Sequence, residues 1–185
     1  AGQAFVPTGG TLGQIAHIDV SGARQLLQTV KLTAMCDIDN PMHGPTGASY
    51  IFGPQKGADP AMVEFLDGQL KALDAVIQRE LHRAVADVPG AGAAGAFGAG
   101  ILAFLDGTLC PGIEAVLDLV DFDGKLKDCD LVITGEGRFD SQSIRGKVVS
   151  GISRRAKQQG VPVAVIAGSV AEEVESVSAD PDSGI

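Results

Sequence analysis

The chain has 185 residues, of which 45% are hydrophobic, so it is long enough to bury a core and too apolar to be disordered throughout. Its 23 acidic and 14 basic residues give a net charge of −9, which argues against nucleic acid or an anionic membrane surface as a partner. No apolar run approaches the roughly 18 residues of a membrane span, and the N-terminal sequence lacks the pattern of a signal peptide.

The first half of the chain predicts a strand, a long loop and a helix. Residues 31–38 alternate loosely between polar and apolar side chains, which indicates a strand. Residues 39–56 are rich in Gly and Pro and have no period, so we expect a long loop of the kind that often carries function. Residues 60–84 repeat apolar side chains at helical spacing, with Asp59 as N-cap and Pro60 in the first turn.

A glycine-rich run follows, GAGAAGAFGAG at residues 90–100, and leads into a further helix. Gly90, Gly92 and Gly95 match a dinucleotide-binding fingerprint by letter, but Pro89 and a helix stand where that fingerprint requires a strand. The glycines therefore predict close packing of a helix start, or close approach of backbone to a ligand.

The second half predicts a doubly wound sheet. A buried strand at residues 130–134, a helix at residues 143–159 and a strand at residues 163–169 are typical of a parallel βαβ unit. Before this unit the predicted helices and strands follow one another less regularly. We therefore place a domain boundary between residues 1–124 and residues 125–185.

The run DLVITGEGRFDSQSIRGK at residues 130–147 is the most informative in the chain. An apolar strand meets two glycines, Gly135 and Gly137, and a helix follows, which is how α/β proteins build anion sites. Ser141 and Val148 stand where a Walker A loop needs glycine and Ser or Thr, so a P-loop is excluded. Candidate functional side chains are Glu136, Arg138, Asp140, Ser143 and Lys147; the alternative is that they cap the helix or are solvated.

Two shorter patterns contain charged side chains that are candidates for binding a metal ion or an anion. Asp37 and Asp39 end the first strand two residues apart, as in haloacid-dehalogenase-type phosphatases, which the run LTAMCDIDN resembles. Such a pair suits Mg²⁺; the alternative is an Asx turn formed by Asp39 and Asn40. Lys56 lies in a Gly53–Gly57 turn and could reach a phosphate or carboxylate, or remain solvated.

Four runs together resemble the type I glycerate kinase family: CDIDNP at 36–41, FGPQKGA at 52–58, PGAGAAGAFGAG at 89–100 and LVITGEGRFDSQSIRGK at 131–147. The resemblance implies transfer of a phosphoryl group from ATP, with Mg²⁺, to D-glycerate, giving phosphoglycerate and commonly 2-phosphoglycerate. It also implies an α/β fold in which this chain forms the inserted domain, 1–124, and a βαβ portion of a Rossmann-like domain, 125–185. We expect a fragment that lacks N- and C-terminal parts of the family and is inactive alone.

The resemblance also implies roles for individual residues. Residues expected to act in catalysis are Asp39, Glu136, Arg138 and Asp140. Residues expected to bind substrate or phosphate are Lys56, Gly135, Gly137, Ser143 and Lys147. Residues expected to hold Mg²⁺ are Asp37 and Asp39.

Two other functions stay open at this point. One is a phosphatase that uses Asp37 as nucleophile, and the other is a ligand-binding module without catalysis. The three cysteines show neither a zinc-site nor a disulfide spacing. We therefore expect a cytoplasmic protein with reduced thiols, whose partners are small molecules rather than nucleic acid or membrane.

Overall fold

A computed structural model describes residues 5–139 and 148–171. The predicted α/β class is confirmed, because helices alternate with parallel strands. The chain forms two compact units, Ala1–Cys110 and Pro111–Ile185. The assignment of residues 1–124 and 125–185 to an inserted and a Rossmann-like domain stays a prediction.

The first unit contains helices and a short two-stranded sheet, and its buried core residues lie on the helices and connecting segments rather than on the strands. Its helices are α1 (Ser21–Leu27), α2 (Ala48–Phe52), α3 (Pro60–Leu81) and α4 (Ala93–Phe104), with 3₁₀ turns at Leu12–Gln14 and Pro54–Lys56. Its strands are β1 (Thr33–Met35) and β2 (Thr108–Cys110). The strands pair in parallel, with Thr33 opposite Thr108.

Helix α3 begins where the sequence predicts. The Asp59 side chain accepts a hydrogen bond from the Met62 N–H at 2.8 Å, and Pro60 occupies the first turn. The helix ends at Leu81, because His82 takes a left-handed conformation with φ 53°. Leu70 and Ile77 on its inner face are buried in the core of the unit, and most of the other buried residues there are alanines, namely Ala48, Ala86, Ala91, Ala96, Ala99 and Ala103.

The prediction that residues 39–56 form one long loop is wrong in part. Helix α2 and the 3₁₀ turn Pro54–Lys56 lie within it. A helix of five residues is too short to show an apolar period, and it is stabilised by packing of Ala48 into the core.

The glycine-rich run packs tightly at the start of α4, as predicted. A Cβ on Gly92 would overlap the carbonyl oxygen of Pro41. A Cβ on Gly90 would lie 2.7 Å from the Cys36 sulfur, and Gly90 also has a φ of +87°. Since the Gly92 N–H donates to the Asn40 carbonyl at 2.9 Å, this run and the segment at residues 36–41 meet backbone to backbone.

The second unit contains α5 (Gly112–Leu119), α6 (Phe122–Leu126), β3 (Val132–Phe139), α7 (Val148–Gln158) and β4 (Val163–Val170). β3 and β4 pair in parallel from Val132 opposite Val163 to Phe139 opposite Val170. The predicted strand–helix–strand order and parallel pairing are confirmed.

The predicted limits and burial of β3 are wrong. The strand does not end before the glycines but continues through Gly135 and Gly137 to Phe139, because β4 supplies ladder partners along that whole length. Ile133, expected to be buried, is 65% exposed. Its face of the sheet is not covered by the described residues.

Arg155 ties the helices of the second unit together. Its guanidinium contacts Glu114 at 2.7 Å and Asp118 at 2.6 Å, both on α5, and Asp123 of α6 at 3.1 Å, while its side chain is only 11% exposed. The hydrogen bond to Glu114, followed by that to Asp118, raises the pKa of Arg155 above its usual value. The neighbouring Arg154 is 58% exposed and, among the residues that the structure describes, its ion-pair partner is Glu114.

Replacing Arg155 by Met is therefore expected to lower the free energy of unfolding by about 1–3 kcal/mol, since several charge-assisted hydrogen bonds are lost. Arg154→Met is the matched control and should change it by less than about 1 kcal/mol. Chemical denaturation of the 185-residue chain measures both, and equal effects would contradict the account of Arg155.

Replacing Gly92 by Ala should lower the free energy of unfolding by about 1–3 kcal/mol, because the added methyl group would overlap the backbone carbonyl of Pro41. Gly68→Ala is the control, since Gly68 lies inside α3 with open space around it. That change should raise stability by roughly 0.5–1 kcal/mol. Denaturation midpoints that move in the same direction for both variants would contradict this packing.

Candidate functional site

Three of the sequence segments singled out above line one open cleft of about 310 Å³ in the first unit. The segment after β1 supplies Asp37, the 3₁₀ turn supplies Lys56, and the start of α4 supplies Gly95. The remaining lining residues are Met35, Cys36, Ile38, Phe52, Gln55, Ala93 and Ala94. The cleft thus combines an apolar lining with one carboxylate and one ammonium group.

Asp37 and Lys56 are both exposed and are placed by different elements. β1 ends at Met35 rather than at residue 38 as predicted, and Asp37 lies two residues beyond it, past the carboxyl end of a parallel strand, where α/β proteins commonly bind ligands. Lys56 ends the 3₁₀ turn, which Gly57 closes with a φ of +91°. An acid and a lysine in one cleft can bind a ligand that carries both an anionic group and a hydroxyl group or a bound cation.

The glycine-rich side of the cleft has a strained backbone. Ala94, Gly95 and Ala96 are consecutive residues with positive φ, at 51°, 71° and 71°. The left-handed conformation costs an alanine roughly 1–2 kcal/mol, and such strain is often found at functional sites. Gly92, bonded to Asn40, holds the start of this segment against the segment that carries Asp37.

The two predicted metal ligands differ in position. Asp37 lines the cleft, and Asp39 is exposed but is not among the lining residues. Within residues 5–139 and 148–171 no three His, Cys, Asp or Glu side chains form a metal cluster. In phosphoryl-transfer sites Mg²⁺ is bound by one or two carboxylates together with water and substrate oxygens. The Asp37 carboxylate in the cleft fits that pattern.

The remaining predicted residues belong to the second unit. Gly135, Glu136, Gly137 and Arg138 lie within β3, where Glu136 pairs with Ala167 and Arg138 with Ser169 of β4. Both glycines continue the strand, beyond its predicted end at residue 134. Asp140, Ser143 and Lys147 fall outside the described residues.

A second cleft in the first unit, of about 430 Å³, has different chemistry. His43 and Asp74 line it, with the His43 Nε2 atom 3.2 Å from the Asp74 carboxylate, and Asp87 lies at the same cleft. Its lining contains no Lys or Arg. A phosphate or carboxylate ligand is therefore better suited to the cleft of Asp37 and Lys56.

Sequence reasoning missed two features of the first cleft. It did not select Gln55, although this residue stands next to Lys56 in the FGPQKGA run. It also did not foresee the left-handed conformation of Ala94 and Ala96, because alanine gives no signal for positive φ. Among the helices of the described part of the chain, none is both long and apolar enough to cross a membrane.

Comparisons with known proteins agree on one family. The profile of the "Glycerate kinase family" matches residues 1–183. Glycerate kinase of Halalkalibacterium halodurans is 50% identical over 169 residues, which are 91% of this chain and 44% of that protein. Glycerate 2-kinase of Escherichia coli K12 is 49% identical over 166 residues, 90% of this chain and 44% of that protein.

A solved structure shows the same fold. The crystal structure of a protein provisionally assigned as glycerate kinase 2, from Salmonella typhimurium LT2, superimposes with a TM-score of 0.78 at 48% identity and covers 87% of this chain and 43% of that one. The chain thus spans less than half the length of the relatives it matches. By its profile match and its sequence identity, this chain belongs to the glycerate kinase family.

Proposed function

We propose that this chain carries part of the active site of a kinase that transfers a phosphoryl group from ATP, with Mg²⁺, to D-glycerate. The observation that carries the proposal is the cleft in which the Asp37 carboxylate and the Lys56 ammonium group line one cavity with the glycine-rich segment. Family membership supports the reaction class. The name of the Escherichia coli relative, glycerate 2-kinase, supports 2-phosphoglycerate as the product.

The roles follow from charge and position. Lys56 is a compact positive charge that binds a phosphate or the glycerate carboxylate. Asp37 holds Mg²⁺ or accepts a hydrogen bond from the substrate hydroxyl. Mg²⁺, when bound, neutralises the charge of the transferred phosphoryl group, and positioning supplies most of the remaining catalysis. Asp39 supplies a second carboxylate that holds Mg²⁺ or orients the substrate hydroxyl.

We propose roles in the same reaction for the predicted residues of the second unit. Arg138 binds a phosphate or the glycerate carboxylate. Glu136 or Asp140 accepts the hydroxyl proton as the glycerate oxygen bonds to the γ-phosphorus and the bond from that phosphorus to the leaving ADP breaks. Gly135, Gly137, Ser143 and Lys147 bind the remaining phosphate oxygens. Because the matched relatives are about twice as long, we propose that the 185 residues alone do not complete a turnover.

An assay of ADP release with D-glycerate tests the reaction. It compares the 185-residue chain with a chimera in which this chain replaces the matching segment of the Halalkalibacterium halodurans relative. We expect turnover by the chimera that depends on glycerate, ATP and Mg²⁺, and none by the chain alone. A phosphoenzyme at Asp37 that is cleaved by hydroxylamine, without transfer to glycerate, would instead favour the phosphatase alternative.

Lys56→Met in the chimera should lower kcat/KM for glycerate by at least about 100-fold, since a charge that stabilises the transferred group is lost. Lys31→Met is the control, because Lys31 is an exposed lysine that does not line the cleft. It should leave kcat/KM unchanged. Equal kinetics for the two variants would remove Lys56 from the site.

A further inference from the structure

Helix α3 carries two buried acids on one face. Asp67 is 1% exposed and Asp74 is 7% exposed. They are seven residues apart, about two helical turns, so their side chains lie on the same side of the helix. Buried carboxylates are costly unless hydrogen-bonded or paired.

Both acids contact consecutive residues of one segment, His43 and Gly44. The Asp67 Oδ1 atom accepts a hydrogen bond from the Gly44 N–H at 2.7 Å. The Asp74 Oδ2 atom lies 3.2 Å from the His43 Nε2 atom and accepts from the Gln78 amide at 2.8 Å. Asp74 contacts a side chain, that of His43, which can rotate. Asp67 contacts the main chain of Gly44 and therefore restrains the backbone itself.

The segment held in this way joins the two charged sides of the candidate cleft. It runs from Asp37 to Lys56, and Gly44 lies between them at a φ of +92°. The Asn40 side chain donates to the Thr46 carbonyl at 2.8 Å, which closes the segment into a compact loop around Gly44. Since Gly44 lies in the segment that connects Asp37 to Lys56, the position of its main chain contributes to how these two residues are placed relative to each other.

The remaining contact of Asp67 is at the surface. Lys71, one turn along α3, places its Nζ atom 2.8 Å from the Asp67 Oδ2 atom and is 58% exposed. The hydrogen bond from Lys71 to Asp67 raises the pKa of Lys71. Removing Lys71 takes away this surface partner but leaves the bond between Asp67 and the Gly44 N–H.

We propose that Asp67 is a positioning residue for the candidate site: by holding the Gly44 N–H it sets the placement of Asp37 relative to Lys56. The proposal rests on the proposed function. A hydrogen bond between a backbone N–H and a charged acceptor is stronger than a neutral one, and it has a defined direction. Misplacement of a catalytic group by about 1 Å can cost roughly 100-fold in rate.

The kinetic test uses three variants of the chimera. Asp67→Leu keeps a similar volume and removes the acceptor, and kcat/KM for glycerate should fall by about 100-fold while the protein remains folded by circular dichroism. Asp67→Asn keeps an acceptor for Gly44 and should restore kcat/KM to within about 10-fold of the unchanged chimera. Lys71→Met should be unchanged. A folded Asp67→Leu chimera with unchanged kinetics, or an Asn variant as impaired as the Leu variant, would overturn the proposal.

A second measurement needs neither turnover nor a variant that might not fold. Amide hydrogen exchange of the unmodified 185-residue chain should show the Gly44 N–H protected at least about 100-fold relative to an unstructured peptide. Free exchange at Gly44 would overturn the proposal even if the kinase reaction is confirmed. Protection at Gly44 together with an inactive unmodified chimera would instead show that the proposed function fails and the Asp67 contact stands.

Discussion

The packing of Gly92 against the segment at residues 36–41 is the constraint on which the first unit depends. The Gly92 N–H bonds the Asn40 carbonyl, and no side chain other than hydrogen fits beside the Pro41 carbonyl. This contact brings the start of α4 next to Asp37. Two of the residues with positive φ that follow it, Ala94 and Gly95, line the same cleft.

Charge is distributed in this chain in a way that suits a small anionic ligand. The net charge is −9, yet the cleft of Asp37 holds a lysine, and the second cleft in the same unit holds only acids and a histidine as titratable groups. The acids Asp67 and Asp74 are turned inward and used as hydrogen-bond acceptors for the loop between Asp37 and Lys56. These two acids thus stabilise the loop beside the cleft, but they do not line the cleft and add no carboxylate to it.

Local signals predicted much of the fold. The pair Asp59–Pro60 fixed the start of α3, and apolar periodicity predicted its core face, because both depend on residues close in the chain. The sequence could not predict the full length of β3, since Gly135 and Gly137 weaken strand propensity and only the ladder to β4 extends the strand. The contact of Asp67 with Gly44 joins residues far apart in the chain and has no local signature.

The sequence indicates some of the residues that line the candidate cleft. Short patterns mark Asp37 and Lys56 as candidates, and both line the same cleft. Their juxtaposition depends on how α4 and α3 hold the intervening loop, and no spacing rule covers that. The roles given to Asp37 and Lys56 stay predictions, as do those of Asp39, Glu136, Arg138 and the residues outside the described part of the chain.

The position of bound glycerate tests the central claim most directly. A crystal structure of the chimera with D-glycerate and a non-hydrolysable ATP analogue with Mg²⁺ would give that position. We predict that an anionic group of one of these ligands lies within hydrogen-bond distance of the Lys56 Nζ atom, and that the Asp37 carboxylate contacts the Mg²⁺ ion or the glycerate hydroxyl. Ligands bound elsewhere, with the cleft of Asp37 and Lys56 filled only by water, would contradict it.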